Sequence, residues 1–462
     1  MCSSTQQWVC DELAWLDLGD KRRNQRAKLM VERLAARPGG CIPPMCESRA
    51  ETKAAYRFLS NPAIDAGEIL AALQQAALGR ACGCELLVVA QDTTSLDFAG
   101  HWATSGLGPL GGGDGSLGHG IFVHSALAVS AEGVPLGLLH QQLWSRDPET
   151  VGVKRARKRR PLAEKESYRW VQTAAAIEAA VPEHIRLVQV ADREGDIFEL
   201  FAAPRREGSH LLIRAAHNRR VEGPQRLLWA KVEAAPLAHE FQMLVRQAPN
   251  HSVRQARLQL RFCAVSVQPP VSGTHDPGLE PVGLTAVLVT EPEPPKGATA
   301  VHWLLLTDLP VTDRDEAMIC LRYYTLRWLI ERYHYVLKSG CRIEDSQLRS
   351  ADSLQRLLAI CSVVALRLLW IMYSARTDGD QPCTVAFSDA EWQVLHRYSC
   401  SGPPPDRPPS LREMVLRTAK LGGFLARKAD GEPGVKVLWR GLMRLQDIVI
   451  GFLLMAPDVG NA

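Results

Sequence analysis

Apolar positions along this chain follow two different periods. Ala27, Met30, Val31, Leu34 and Ala35 recur at helical spacing after Asp20, and Pro38, Gly39 and Gly40 stop that helix. Ser48-x-x-Glu51 has the form of a capping box, opening a second helix that carries Tyr56-Arg57-Phe58 and ends before Pro62. A third helix is expected over residues 64–78. Beyond it the period shortens, with apolar runs of strand length at 86–90, 121–129, 134–139, 187–191 and 211–215. A helical stretch (162–180) precedes the fourth run, and a shorter one (196–201) the fifth. Short links between the first three runs allow hairpins, and the intervening helices allow parallel crossovers, so the pattern predicts a mixed α/β sheet.

From 222 to about 310 strict alternation returns (Phe241, Met243, Val245; Leu258, Leu260, Phe262, Ala264), which predicts a β-strand insertion. Helices are expected again over 317–338 and 354–373. The apolar run 357–373 is shorter than the ~20 residues a bilayer requires and contains Arg367, so it is expected to be a buried helix and no membrane span is predicted. Proline- and glycine-rich stretches at 374–382 and 401–410 are expected to be linkers. Near the C-terminus Leu442, Leu445, Val449 and Phe452 form a stripe suited to a helix partner within or between chains. The order strand, strand, strand, helix, strand, helix, strand is the one a ribonuclease H-like domain uses. The expected architecture is therefore α/β: a helical N-terminal domain (1–78), a ribonuclease H-like mixed-sheet domain (79–378, insertion about 222–310) and a small helical C-terminal domain (379–462).

The 462 residues are 46% hydrophobic and 23% charged, which excludes a disordered or fibrous chain, and a net charge of +4 does not by itself require a nucleic-acid partner. The distribution changes that picture. Between Asp20 and Asn61 stand ten basic residues against four acidic ones, with Arg22, Arg26 and Arg33 on one flank of the first basic helix. Such a flank fits a phosphate backbone, and on clustering alone it fits a solvated face equally well. Residues 154–160 (KRARKRR) carry six cations in seven positions. Asp11 and Glu12 stand where a signal peptide would have its apolar core, so a cytoplasmic protein is expected. The twelve cysteines contain no CxxC pair and are expected to be structural thiols.

Asp92 and Asp192 each follow an apolar strand, a common place for a site and also for a turn-capping aspartate. The stretch 324–338 reads YTLRWLIERYHYVLK. As one helix at ~100° per residue it gathers Tyr324, Arg327, Glu331 and Lys338 on one face. A salt-bridged surface would give the same pattern, since Arg327 and Glu331 are an i,i+4 pair.

The string Tyr324-x2-Arg327-x3-Glu331-x6-Lys338 resembles the signature of the cut-and-paste DDE transposases of bacterial insertion sequences, in the branch of the transposon-five transposase. LGDKRR, AYRFLSNP, QDTTSL around Asp92, VHS, GLLHQQLW, EKES with Trp170, ADREGDIF around Asp192, PPKG, WLLLTDLPV and LGGF are similar in wording and order. The resemblance implies that Asp92, Asp192 and Glu331 form a catalytic acidic triad holding two Mg²⁺ ions, with Mn²⁺ as a substitute. It implies DNA contacts from Tyr324, Arg327, Lys338 and Arg214, base stacking on Trp303, and transposon-end binding by Arg22, Arg23, Arg26 and Arg57. The partners it implies are double-stranded transposon-end and target DNA and a second copy of the chain, with no nucleotide cofactor; no GxxxxGK[ST] loop is present. The glycine-rich stretch 106–120 lacks a lysine and is expected to be a mobile loop. The expected activity is a 3′ nick at each transposon end, a hairpin intermediate, and joining of the 3′ hydroxyls to target DNA. A non-catalytic inhibitor of transposition, or a general ribonuclease H-like nuclease, is the alternative.

Overall fold

The computed structural model describes residues 4–37, 39, 42–101, 103–111, 118–148, 161–245, 254–271, 278–400, 402–427 and 430–455. The 154–160 basic run lies outside them, as does 112–117 of the glycine-rich stretch.

The N-terminal segment is helical: α1 (Ser4–Glu12), α2 (Lys21–Ala36), a single turn at Ile42–Met45, α3 (Arg49–Leu59) and α4 (Ala66–Ala81). Asp20, Ser48 and Asp65 start α2, α3 and α4 by accepting N–H bonds from Arg22, Glu51 and Gly67. The capping box at Ser48 is half formed. Glu51 turns away from the Ser48 N–H to accept from the Glu47 N–H at 3.0 Å and from Arg33 at 3.0 Å.

Strands β1 (Leu86–Asp97), β2 (Gly108–Pro109), β3 (His119–Ser130) and β4 (Pro135–Trp144) follow. Next come α5 (Tyr168–Ala180), β5 (Arg186–Ala191), α6 (Phe198–Ala202), β6 (Ser209–Arg214) and the short α7 (Leu228–Glu233). The alternating region forms β7 (Leu237–Val245), β8 (Arg254–Val267), β9 (Val282–Thr290) and β10 (His302–Thr307). Helices complete the chain: α8 (Arg314–Leu326), α9 (Trp328–Tyr335), a π-turn (Val336–Gly340), α10 (Ala351–Thr377), α11 (Asp389–Ser399), α12 (Leu411–Leu421) and α13 (Val435–Met455).

These elements divide between two compact units. One comprises Met1–Cys82, Thr93–Val151 and Leu329–Ala462; the other comprises Gly83–Asp92 and Gly152–Trp328.

In the second unit the strand order is β1-β5-β6-β10-β9-β8-β7. The β1, β5 and β6 strands run parallel, and β10 joins β6 antiparallel, so the inserted strands extend the sheet rather than forming a body of their own. Trp170, Phe198, Phe201, Leu211, Ile213 and Leu306 belong to its apolar core. Gly195 is required here, because a Cβ would sit 2.6 Å from the Ala191 side chain.

In the first unit β3 pairs antiparallel with β4 and with the two-residue β2, so part of the glycine-rich stretch is a strand and not a loop. A Cβ on Gly108 would lie 1.9 Å from the Arg146 carbonyl, which explains the residue chosen there. Helix α10 extends the apolar run to 27 residues. It is long and apolar enough to cross a membrane by length and composition, yet most of it is buried against α2, α4, β4, α12 and α13. It absorbs Ser374–Thr377, residues expected in a linker. Buried Arg356 donates from this helix to the carbonyls of Leu59 (2.9 Å) and Ile64 (2.5 Å), closing the end of α3.

Candidate active site

Strands β1 and β5 end their parallel pairing at Gln91 and Ala191, and the next residue of each is an aspartate, Asp92 and Asp192. Where that pairing stops, the two strands set two carboxylates side by side, both half-buried; Asp192 follows β5 as expected, whereas Asp92 lies inside β1, which runs on to Asp97. Asp192 also caps the turn Arg193–Gly195, accepting the Glu194 N–H at 2.9 Å. Burial pushes its carboxyl above the usual value and the charge of Asp92 pushes the same way, while the Glu194 N–H, Arg327 and Arg214 pull against them. Glu194 is raised by burial and by both aspartates, despite an ion pair to Arg169 at 2.7 Å. Sequence reasoning passed over Glu194; its signal was the density of acids in ADREGD.

A cationic and aromatic cluster stands opposite. Arg214, at the end of β6, donates to the His302 carbonyl at 3.0 Å. Tyr324 is 2% exposed; burial raises its phenol, and Arg327 and Arg214 both bond to it and oppose that shift. Arg327 is itself only 5% exposed, with its guanidinium 5.8 Å from the Tyr324 ring centre and 5.0 Å from that of Trp328. The Trp303 ring lies 6.2 Å from that of Tyr324. Asp92, Asp192, Arg214, Trp303, Tyr324 and Arg327 are therefore one constellation within the second unit. Charges of Asp92, Arg214 and Arg327 all act on Asp192.

Glu331 and Lys338 belong to the first unit, both half-buried. The single helix expected over 324–338 is not continuous. It breaks at Arg327, whose N–H bonds back to Tyr324 rather than four residues back, and from Val336 it widens into the π-turn closed by the Cys341 N–H on the Val336 carbonyl at 2.7 Å. Glu331 thus sits on α9 and Lys338 in the π-turn, so a regular 100° projection does not describe the four signature residues. Among the described residues no three His, Cys, Asp or Glu side chains gather as a ready-made metal ligand set.

On the basic helices Arg22 and Arg57 are exposed and Arg26 is half-buried. Arg23 spends one nitrogen on the carbonyls of Leu18 (3.0 Å) and Ala63 (3.3 Å). Arg33 is a clamp and not part of an open flank: it pairs with Glu47 and, at 3.0 Å, with Glu51, tying α2 to α3.

Residues 5–64 match the family described as Transposase DNA-binding, and residues 363–455 match the Transposase Tn5 dimerisation domain. Both ends of the chain thus match transposase domains, the second of them of Tn5 type. The first helices are a DNA-binding module, and α11–α13 with most of α10 are a dimerisation domain. The end of α13 agrees with that assignment. Leu445 and Val449 are buried within the chain, whereas Ile450, Phe452, Leu453 and Leu454 stay exposed, as does Tyr398 of α11. The predicted stripe therefore faces inward over its first half and leaves an apolar end exposed among the described residues.

Proposed function

We propose that this transposase cuts transposon ends and joins them to target DNA through Asp92, Asp192 and Glu331. The observation that carries the reading is the aspartate pair on adjacent strands, set where the β1–β5 pairing stops and faced by Arg214, Arg327 and Tyr324, in a chain flanked by transposase DNA-binding and dimerisation modules. The proposed catalytic domain is 79–378.

The donor set fits magnesium. Two half-buried carboxylates, one with a raised pKa, are hard oxygen donors that gain from a small divalent cation, and Mg²⁺ commonly takes one or two protein carboxylates and completes its shell with water and substrate phosphate. Two such ions, with Mn²⁺ as a substitute, would supply charge neutralisation at the attacking and leaving oxygens of a phosphodiester exchange. Glu331 is the third carboxylate. Arg214 and Arg327, backed by Tyr324, hold the phosphate beside the cut, and Lys338 adds positive charge there. Trp303 stacks an extruded base, returning ~1–3 kcal/mol of its unstacking cost. Arg22, Arg26 and Arg57, with the free side of Arg23, grip the terminal repeat. Each strand exchange replaces one phosphodiester with another or spends water, so no nucleotide is hydrolysed.

Incubation with Mg²⁺ and a duplex bearing the inverted repeats that flank the gene should give a 3′ nick at the repeat end and then a hairpin. Footprints without cleavage under any divalent metal would identify a regulator. Equal cutting of DNA lacking the repeats would identify a general nuclease.

A further inference from the structure

The VHS and HQQ motifs take no part in the constellation above, yet they place polar side chains deep in the first unit. Ser125 of β3 and Gln141 of β4 are direct register partners. The Gln141 amide donates to Ser125 Oγ at 3.0 Å and to Tyr333 Oη at 2.8 Å. Tyr333 Oη donates to Ser362 Oγ at 2.8 Å, and Ser362 Oγ returns to Gln141 Oε1 at 3.2 Å with the Leu358 carbonyl 2.9 Å away. Gln141, Tyr333 and Ser362 thus close a ring, all of them buried, and the His334 ring approaches Ser125 at 3.4 Å. One residue before Ser125, His124 Nδ1 lies 2.9 Å from Thr93 Oγ1, the hydroxyl that follows Asp92 in the chain.

Phe, Leu and Ala would fill this space without desolvating anything. A buried polar ring is favourable only when every member is satisfied, and a helix turned by one residue moves each side chain by ~100°. The ring therefore closes at one rotation of α9 against β4 and α10. Glu331 stands two residues before Tyr333 on that helix.

We propose that the Gln141–Tyr333–Ser362 ring is a positioning device for Glu331, with Tyr333 as a positioning residue that touches neither DNA nor metal. His124 and Ser125, adjacent on β3, anchor the chain after Asp92 and the helix of Glu331 respectively. The inference rests on the proposed role of Glu331.

Tyr333→Phe keeps the ring volume and removes the hydroxyl. Hydrogen exchange of α9 amides in the DNA-free, metal-free protein should then accelerate while α10 keeps its protection. The Mg²⁺ concentration for half-maximal cleavage of end DNA should rise about 10- to 100-fold, with gel-shift affinity for that DNA unchanged. The triple variant Gln141→Leu, Tyr333→Phe, Ser362→Ala replaces the whole ring with apolar groups; it should melt no lower than wild type and still show the raised Mg²⁺ requirement. Wild-type exchange of α9 in Tyr333→Phe overturns the proposal, as does wild-type Mg²⁺ response in the triple variant, when Glu331→Gln is inactive beside them. Full cleavage by Glu331→Gln overturns the reading of the site and the positioning role with it.

Discussion

Asp196 accepts the N–H groups of Ala216 (2.7 Å) and His217 (2.9 Å) and the Arg219 guanidinium at 2.6 Å, with its side chain fully buried. Asp192, four residues earlier in the same motif, is held beside another carboxylate with its pKa raised. Removing them should have opposite effects. Asp196→Ala strips a buried ion pair of one partner and should cost about 3–5 kcal/mol in chemical denaturation. Asp192→Asn keeps a capping oxygen while removing an unfavourable charge, so the metal-free variant should melt at or above the wild-type temperature while losing cleavage. Asp308 illustrates the remaining sign. Burial pushes its carboxyl up, but His210, Arg205 and the Leu211 N–H outweigh that and hold it below 3.8. Its contribution is complete above the unfolded value and fades as pH falls through the lower folded value. The stability gap between wild type and Asp308→Asn, measured by urea titration across pH, should therefore be largest near neutrality and shrink below about pH 4. Sequence makes all three aspartates visible at strand or loop ends. Which is a capped structural acid and which a candidate ligand depends on partners from 20 residues away (Ala216 to Asp196) to 135 (Arg327 to Asp192), and no local pattern encodes those.

Helix α10 was legible as a buried element because its apolar run has no polar face, yet nothing in that run announced the role of Arg356, the residue just before it. That guanidinium closes the end of α3, and Arg356→Met would leave two buried carbonyls without a donor. It should cost about 2–4 kcal/mol, read as an earlier melt of the first unit. Strand alternation likewise announced β7–β10 but not their place, because β10 meets β6 across 88 residues at the Arg214–His302 bond. The 324–338 stretch misled in the opposite way. A helical wheel assumes a constant rise and rotation, and neither the tight turn at Arg327 nor the π-turn at Val336 has a proline or glycine at its start to announce it. Gln141 and Ser362 carried a signal that went unread: each is a polar residue inside an apolar strand or helix.

At the scale of the whole chain, a net charge of +4 conceals the basic N-terminal helices and the acidic strand ends. The family matches at the two ends assign DNA binding to the former and dimerisation to the last helices. Exposed Arg22 and Arg57 should meet phosphate, so Arg22→Ala and Arg57→Ala should each weaken end binding and lower the slope of log affinity against log salt by about one. The claim on which the account turns is that Glu331 completes the chemistry begun by Asp92 and Asp192. Single-turnover cleavage of terminal-repeat DNA in Mg²⁺, by wild type and Glu331→Gln matched for DNA binding, tests it most directly. Binding should be unchanged and the cleavage rate lower by at least about 10³-fold; cleavage by Glu331→Gln at the wild-type rate would contradict the role of Glu331.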